Sequence, residues 1–168
     1  MNRKDLIDKA RLPLRSALGA GLAVSIGTAL NLAHPVYALV SAIVVTDITA
    51  QQTRKLGVQR IVGTLFGTVV GAVLSQVTHP NSLAVAIGVV TAMLLCSLFG
   101  IPAGAKVAGY LAGMVILTFG DHPWAYAIDR LVETLLGIAA AIVVALVPPL
   151  HDPVPDSAAP ANTEHHES

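Results

Sequence analysis

The chain has 168 residues, of which 54% are hydrophobic and 12% charged, and its ten basic residues balance its ten acidic ones. Its mean hydropathy of +0.71 leaves too little polar surface for a soluble domain of this length. A soluble globular protein is therefore excluded, and we predict an integral membrane protein.

Charged residues are sparse in the middle of the chain and concentrated towards its ends. Between Ser16 and Ile128 the charged residues are Asp47, Arg54, Lys55, Arg60, Lys106 and Asp121. Apolar runs of about 20 residues, separated by short polar segments, are typical of membrane-spanning helices. We predict an all-α polytopic protein with six spans, at Leu14–Ala33, Val36–Ala50, Ile61–Val77, Leu83–Phe99, Ala103–Phe119 and Ala127–Leu146.

The spans divide the chain into three regions. Residues 1–13 form a basic amphipathic cytoplasmic segment, residues 14–149 a six-helix membrane transporter domain, and residues 150–168 a disordered cytoplasmic tail rich in proline, alanine and charge. The second span is short for a hydrocarbon core of about 30 Å. We therefore expect it to extend into Gln51–Lys55 or to lie where the membrane is thinned.

The distribution of basic residues predicts the orientation of the spans. If the N-terminus is cytoplasmic, nine of the ten basic residues fall on that side and only Arg130 on the other. Because basic residues are enriched in cytoplasmic loops, we expect both termini to be cytoplasmic.

A phrase in the third span recurs in the sixth, seventy positions later. Aligning Arg60 with Arg130 also matches Thr64 with Thr134 and Gly67 with Gly137. Each half then has three spans, an odd number, so the second half is inverted relative to the first. Inverted repeats are common in secondary transporters. The alternative is a chance similarity between two helices rich in small residues.

Small residues recur every four positions in several spans. Such residues let helix backbones approach closely in lipid, so we predict a helix-packing role. Lining of a pore by bare backbone is the less favoured alternative. The residues to which we assign helix packing are Gly63, Gly67, Gly71 and Gly137.

Four charged residues in or beside the spans are candidates for function. Arg60 is either an interfacial anchor or a cation that attracts an organic anion. Arg130 either pairs with Glu133 at i, i+3 or attracts an anion itself. Asp47 either pairs with Arg54 or, like Glu133, carries a proton for coupled transport.

The sequence contains no pattern that indicates catalysis. There is no HExxH, GxSxG or Walker loop, and no cysteine or histidine cluster with metal-ligand spacing. We therefore expect no enzymatic activity, no catalytic residue, no cofactor, no metal and no nucleic-acid partner.

Two segments carry a resemblance to known transporters. The stretch Pro35–Gly67, "PVYALVSAIVVTDITAQQTRKLGVQRIVGTLFG", resembles the fusaric-acid-resistance (FUSC) and aromatic acid exporter families, which have an R-x-x-G-T-x-x-G third span. The stretch Arg130–Gly137, "RLVETLLG", is similar to the R-x-x-x-T-x-x-G of their sixth span. Plant aluminium-activated malate channels carry similar phrases. The resemblance covers about residues 13 to 149.

The resemblance implies a permease or exporter of aromatic or other organic anions in the bacterial inner (plasma) membrane. It implies substrate-binding roles for Arg60, Thr64, Arg130 and Thr134. Many members have a large cytoplasmic domain that this sequence does not show, so we expect homo-oligomers, most simply dimers, to complete the transporter. The expected partners are the lipid bilayer and a small organic anion. The alternative is a non-transporting scaffold or accessory subunit of a larger efflux assembly.

Overall fold

A computed structural model of the chain describes residues 3–118 and 122–147, with side chains from residue 9 onward. Over these residues the backbone forms six α-helices and no strand, which confirms the all-helical class. The helices are α1 (Arg3–Ala29), α2 (Pro35–Val45), α3 (Ala50–Val77), α4 (Ser82–Leu98), α5 (Pro102–Thr118) and α6 (Pro123–Ala145). The predicted tail, residues 150–168, and the predicted end of the fifth span at Phe119 lie outside the described residues.

The first helix is longer than the predicted first span. It begins at Arg3 and continues through Pro13, so the predicted amphipathic segment and the first span form one helix. It ends at Ala29, four residues before the predicted end at Ala33. Asn31 there adopts a left-handed conformation, with φ of 52°, which asparagine tolerates better than most residues.

The helix at the second predicted span is shorter than predicted, and its expected extension into Gln51–Lys55 is wrong. Helix α2 ends at Val45 because Thr46 takes an extended backbone conformation. Gln51–Lys55 instead belongs to α3, whose first turn is capped by the Thr49 side chain accepting the Gln52 N–H. At 1.5 Å per residue, α2 is about 16 Å long, roughly half the thickness of a hydrocarbon core.

The interior of the bundle consists mainly of alanine and glycine. One buried cluster contains Ala92, Cys96, Ala105, Ala108 and Ala112, and another contains Ala23, Ala38, Ala42 and Ala140. Large aliphatic side chains lie on the outside instead, among them Leu18, Val40, Val73, Leu94, Leu117 and Val143. This distribution is the reverse of a water-soluble core and is typical of helices that pack closely in lipid.

The helices pack around a central pair, α3 and α6. Helix α3 contacts α4, α5 and α6, and helix α6 contacts α1, α2 and α3; α1 also contacts α2, and α4 contacts α5. Gly57 of α3 lies against Ile138 of α6, whereas Thr64 lies against Thr134. Because the residue numbers run in opposite directions, α3 and α6 are antiparallel.

By length and composition, one helix in the described ranges, Ala50–Val77, is apolar and long enough to cross a membrane. Helices α4 and α5 are apolar as well, but they are shorter, with 17 residues each. Helix α6 has 23 residues and includes three charged ones, Asp129, Arg130 and Glu133. Charged side chains in an apolar helix are costly unless they have partners, so the surroundings of these three side chains bear on the function.

Candidate functional site

Close contacts at glycines set the distances between the helices that carry the candidate site. A methyl group added at Gly67 would come within 2.5 Å of the Ala108 carbonyl oxygen of α5, and one added at Gly63 within 2.5 Å of the Gly104 carbonyl oxygen. Gly71 is in similar contact with α5, and Gly137 with the backbone of α2 at Ala38. The structure thus places all four glycines at helix–helix contacts, where they let the backbones touch.

Two threonines meet at the centre of the α3–α6 contact. The Oγ1 atoms of Thr64 and Thr134 are 3.5 Å apart, and both side chains are buried. Arg60 and Arg130 each lie four residues before the threonine of their own helix. Because the helices are antiparallel, the arginines lie on opposite sides of the threonine contact, about 12 Å apart along the helix axes.

Arg130 is buried among groups that neutralise and hold it. Its Nη1 donates to Glu133 Oε2 at 3.0 Å, so the i, i+3 pair expected from the sequence is present. The guanidinium lies over the face of the Tyr37 ring and 5.3 Å from the centre of the Tyr126 ring. The second oxygen of Glu133 accepts the His34 backbone N–H at 2.8 Å, which ties α6 to the start of α2.

Arg60 is also buried, but neutral groups hold it. Its Nη2 donates to the Tyr110 hydroxyl at 3.1 Å, and its Nε donates to Ser41 Oγ at 3.4 Å. In the described ranges no carboxylate pairs with it. With 7% of its surface exposed, Arg60 is not in the exposed position of an interfacial anchor. Within the described part of the chain, Arg60 is therefore a buried cation without a counter-ion.

The difference between the two arginines follows from one position in each helix. Glu133 stands three residues after Arg130, whereas Gly63 stands three residues after Arg60. Gly63 packs against the Gly104 carbonyl, so this position in α3 has no room for an acidic side chain. Of the two arginines in the repeated phrase, Arg130 therefore has a carboxylate partner, and Arg60 has none among the described residues.

Tyrosine side chains contact both arginines, and sequence reasoning missed these tyrosines. Tyr37 and Tyr126 contact Arg130, and Tyr110 contacts Arg60. The hydroxyl of Tyr126 also lies 3.0 Å from the Met114 sulfur. These three are the only tyrosines of the chain, and that scarcity was the signal that could have singled them out. Arginines beside aromatic rings suit a ligand that is both anionic and aromatic.

Asp47 lies away from the two arginines, in the turn between α2 and α3. Its carboxylate accepts the N–H of Ile48 at 2.7 Å, and its own N–H donates to Thr53 Oγ1 at 3.0 Å. Among the described residues it forms no ion pair with Arg54. The structure therefore brings Arg60, Thr64, Arg130, Thr134 and Glu133 together along α3 and α6, and leaves Asp47 apart.

Arg15 is a further buried arginine that sequence reasoning missed. It is 1% exposed, and its Nη1 donates to the backbone carbonyls of Asp47 and Ile48. These carbonyls belong to the extended segment that follows α2. Arg15 therefore connects α1 to the α2–α3 turn, and its place at the start of the first predicted span gave no sign of this role.

Comparison with known proteins confirms the family resemblance. The sequence profile described as fusaric acid resistance protein-like matches residues 22–144. The chain is also similar to the UPF0421 protein BH2644 of Halalkalibacterium halodurans, with 30% identity over 145 residues. That alignment covers 83% of this chain and 41% of the relative, so the chain spans less than half the relative's length. No solved structure matches the chain significantly.

Proposed function

The chain belongs to the fusaric acid resistance protein-like family, and we propose that it moves small organic anions across the bacterial inner membrane. The observation that carries this proposal is the environment of Arg60, a buried guanidinium bonded to Ser41 and Tyr110, both neutral. A buried charge without a counter-ion is costly in a membrane protein and marks a substrate or ion pathway. Arg15 is buried as well, but two backbone carbonyls, which carry partial negative charge, hold it, whereas among the described residues Arg60 is held by hydroxyl groups alone. An anion bound at Arg60 would neutralise it by charge-assisted hydrogen bonds.

We propose that all six helices insert into the bilayer, with both termini cytoplasmic. Large apolar side chains on the outer faces support this: Val77 is 72% exposed, Leu83 70% and Leu98 81%. A monomer in water does not expose such extensive apolar surface. The 17-residue helices α4 and α5 are about 26 Å long, close to the thickness of a hydrocarbon core, and the shorter α2 crosses it together with the extended segment that follows Val45.

We further propose that the two halves form an inverted repeat. The helix contacts keep the same pattern when α1, α2 and α3 are exchanged for α4, α5 and α6. Individual residues follow the same exchange: Gly67 contacts Ala108, and Gly137 contacts Ala38, so each residue moves by seventy positions. The antiparallel α3–α6 pair lies on the implied symmetry axis. Such repeats place the substrate site near the middle of the membrane.

The proposed pathway follows the α3–α6 contact from Arg60 to Arg130. The cytoplasmic arginine, Arg60, attracts the anion, and the threonine pair supplies hydroxyl groups midway. Arg130 lies towards the outer end, beside the rings of Tyr37 and Tyr126. Tyrosine rings next to cations favour aromatic carboxylates or sulfonates over small inorganic anions. Glu133 and Asp47 stay candidates for proton coupling, and the position of Glu133 beside Arg130 favours it over Asp47.

We propose a homodimer as the working assembly. Most small-residue stripes of the described helices are covered within the subunit, but Ala17, Gly21 and Ser25 of α1 are exposed. A methyl group added at Gly21 would meet nothing within 4 Å. This face suits close contact with a second copy in lipid. Light scattering of the detergent-solubilised protein should give twice the protomer mass, and a monomer mass would reject the dimer.

The experiment that tests transport is anion flux into liposomes. Benzenesulfonate is a suitable substrate because it stays ionised at every working pH and does not diffuse through lipid as a neutral acid. We expect purified protein to raise its uptake well above that of empty liposomes, and to leave the uptake of tetraethylammonium, a cation of similar size, unchanged. If a broad panel of sulfonates and carboxylates enters no faster than into empty liposomes, the accessory-subunit alternative replaces this proposal.

A further inference from the structure

We propose that Glu133 is an internal counter-anion of Arg130, which an organic anion replaces only when Glu133 takes up a proton. One proton is then bound together with each anion that reaches Arg130. This inference rests on the proposed transport of organic anions and specifies how that transport is coupled. The pair of Arg130 and Glu133, 3.0 Å apart, is the geometry on which it depends.

Burial of the pair sets the charge that the site tolerates. Arg130 is 3% exposed and Glu133 1%, so both lie inside the bundle. A buried site that carries net charge is strongly disfavoured, whereas a neutral combination is not. An anion added to the intact pair would leave one net negative charge. Loss of the carboxylate charge without an anion would leave one net positive charge. The two neutral states are the ion pair alone, and Arg130 with an external anion and a protonated Glu133.

The remaining contacts of Arg130 favour exchange of one anion for another. The rings of Tyr37 and Tyr126 hold the guanidinium from the side and are neutral, so they neither replace nor repel an anion. When Glu133 is protonated, its contact with Arg130 loses the ionic attraction, and a carboxylate or sulfonate can take the guanidinium N–H groups. The proton is bound by the Glu133 carboxylate, and no other bond forms or breaks.

The corresponding position in the other half shows why anion binding is linked to proton binding at only one of the two arginines. Gly63 occupies the place of Glu133, and Arg60 has no carboxylate partner among the described residues. An anion therefore binds Arg60 without a proton and Arg130 with one. The pathway therefore begins at Arg60 on the cytoplasmic side, where an anion binds without a proton. It then reaches Arg130 towards the outside, where an anion binds together with a proton.

Other titratable groups face this region and need controls. Helix α1 approaches the region of Glu133 through its last turns, where Gly27 lies close to Leu136 of α6. These turns of α1 contain no charged residue. The groups on the other packed elements are His34 before α2, Tyr37 on α2, Arg60 on α3, Tyr110 on α5, and Tyr126, Asp129 and Arg130 on α6. His34 and Asp129 are the neighbours that the control variants below replace.

The test measures the binding of benzenesulfonate to the full-length protein in detergent between pH 5 and pH 8. In an Arg60→Gln background, which removes the anion site that needs no proton, wild-type Glu133 should give an affinity that falls on the order of tenfold per pH unit where Glu133 is ionised, because one proton is linked to one anion. Glu133→Gln should bind with an affinity that does not change with pH. The matched controls Asp129→Asn and His34→Gln should keep the wild-type slope, since the His34 backbone N–H that Glu133 accepts is retained.

A second measurement does not depend on any variant folding. Addition of benzenesulfonate to the wild-type protein in weakly buffered solution should cause uptake of close to one proton per anion bound at Arg130. No proton uptake by the wild type at saturating benzenesulfonate, an affinity that is independent of pH in the Arg60→Gln background, or a wild-type slope in Glu133→Gln would each overturn this inference while leaving anion transport intact. If the folded wild type binds no anion at any pH, the proposed function fails as well.

Discussion

Thr64 and Thr134 face each other across the α3–α6 contact, with their Oγ1 atoms 3.5 Å apart. One helical turn before each threonine lies a buried arginine, and the antiparallel arrangement puts the two arginines on opposite sides of the contact. They differ in what holds them: Glu133 neutralises Arg130, whereas Tyr110 and a serine hold Arg60. The proposed attraction of an anion by Arg60 depends on this difference in charge between the two sites.

The contact between α3 and α5 should not tolerate a side chain at Gly67. A methyl group there would lie 2.5 Å from the Ala108 carbonyl oxygen and 2.9 Å from Leu111 Cβ, so the helices would have to separate. We expect Gly67→Ala to destabilise the protein by about 1–3 kcal/mol, the usual cost of overpacking. Thermal unfolding in detergent measures this.

Gly113 provides the matched control for that substitution. It is buried on α5, but a methyl group there would meet its nearest neighbour, Val85, at an ordinary 3.4 Å. Gly113→Ala should therefore unfold at nearly the wild-type temperature. Equal loss of stability in both variants would show that the tight contact at Gly67 is not what sets the α3–α5 distance.

Arg15 should be a structural residue of the α2–α3 turn. Its guanidinium donates to the carbonyls of Asp47 and Ile48, which no helix satisfies. Arg15→Ala should cost about 1.5–3 kcal/mol, the range for hydrogen bonds to charged groups. Lys9→Ala, an exposed position in the same helix, should cost almost nothing. An unfolding temperature unchanged by Arg15→Ala would contradict this role.

The proposed topology predicts which loops face the cytoplasm. In a Cys96→Ala background, a single cysteine at Gln51 should react with an impermeant maleimide from the cytoplasmic side, and one at His79 from the outside. Gln51 and His79 are both exposed. Gly57, farther along α3, is not a suitable labelling position, because it is buried against Ile138 and would not tolerate a cysteine. Reaction of both cysteines from the same side would reject the six-span arrangement.

Much of the helix pattern could be predicted from apolar runs and prolines. The predicted fourth span, Leu83–Phe99, differs from α4 by one residue at each end, because proline and asparagine mark the helix start. The end of α2 could not be predicted in this way. The hydroxyl groups of Thr49 and Thr53 accept hydrogen bonds from backbone N–H groups and so close the turn after Val45, and composition does not show such bonds.

The candidate site was predictable in part, and the missing part is tertiary. The repeated Arg-x-x-x-Thr-x-x-Gly phrase singled out Arg60 and Arg130, and the i, i+3 spacing indicated the pair with Glu133. The partners of Arg60 lie on α2 and α5, 19 and 50 residues away along the chain. Local spacing carries no information about such contacts, so the lack of a counter-ion at Arg60 emerged only from the packing.

The most direct test of the central claim compares benzenesulfonate uptake by Arg60→Gln and Arg54→Gln in liposomes, at equal amounts of reconstituted protein. Arg54 is an exposed arginine six residues earlier in the same helix. Loss of charge-assisted hydrogen bonds at Arg60 should slow uptake at low substrate concentration by about tenfold or more, without loss of folding. Arg54→Gln should transport at nearly the wild-type rate. Wild-type uptake by a folded Arg60→Gln protein would contradict the claim that Arg60 is the anion-attracting cation.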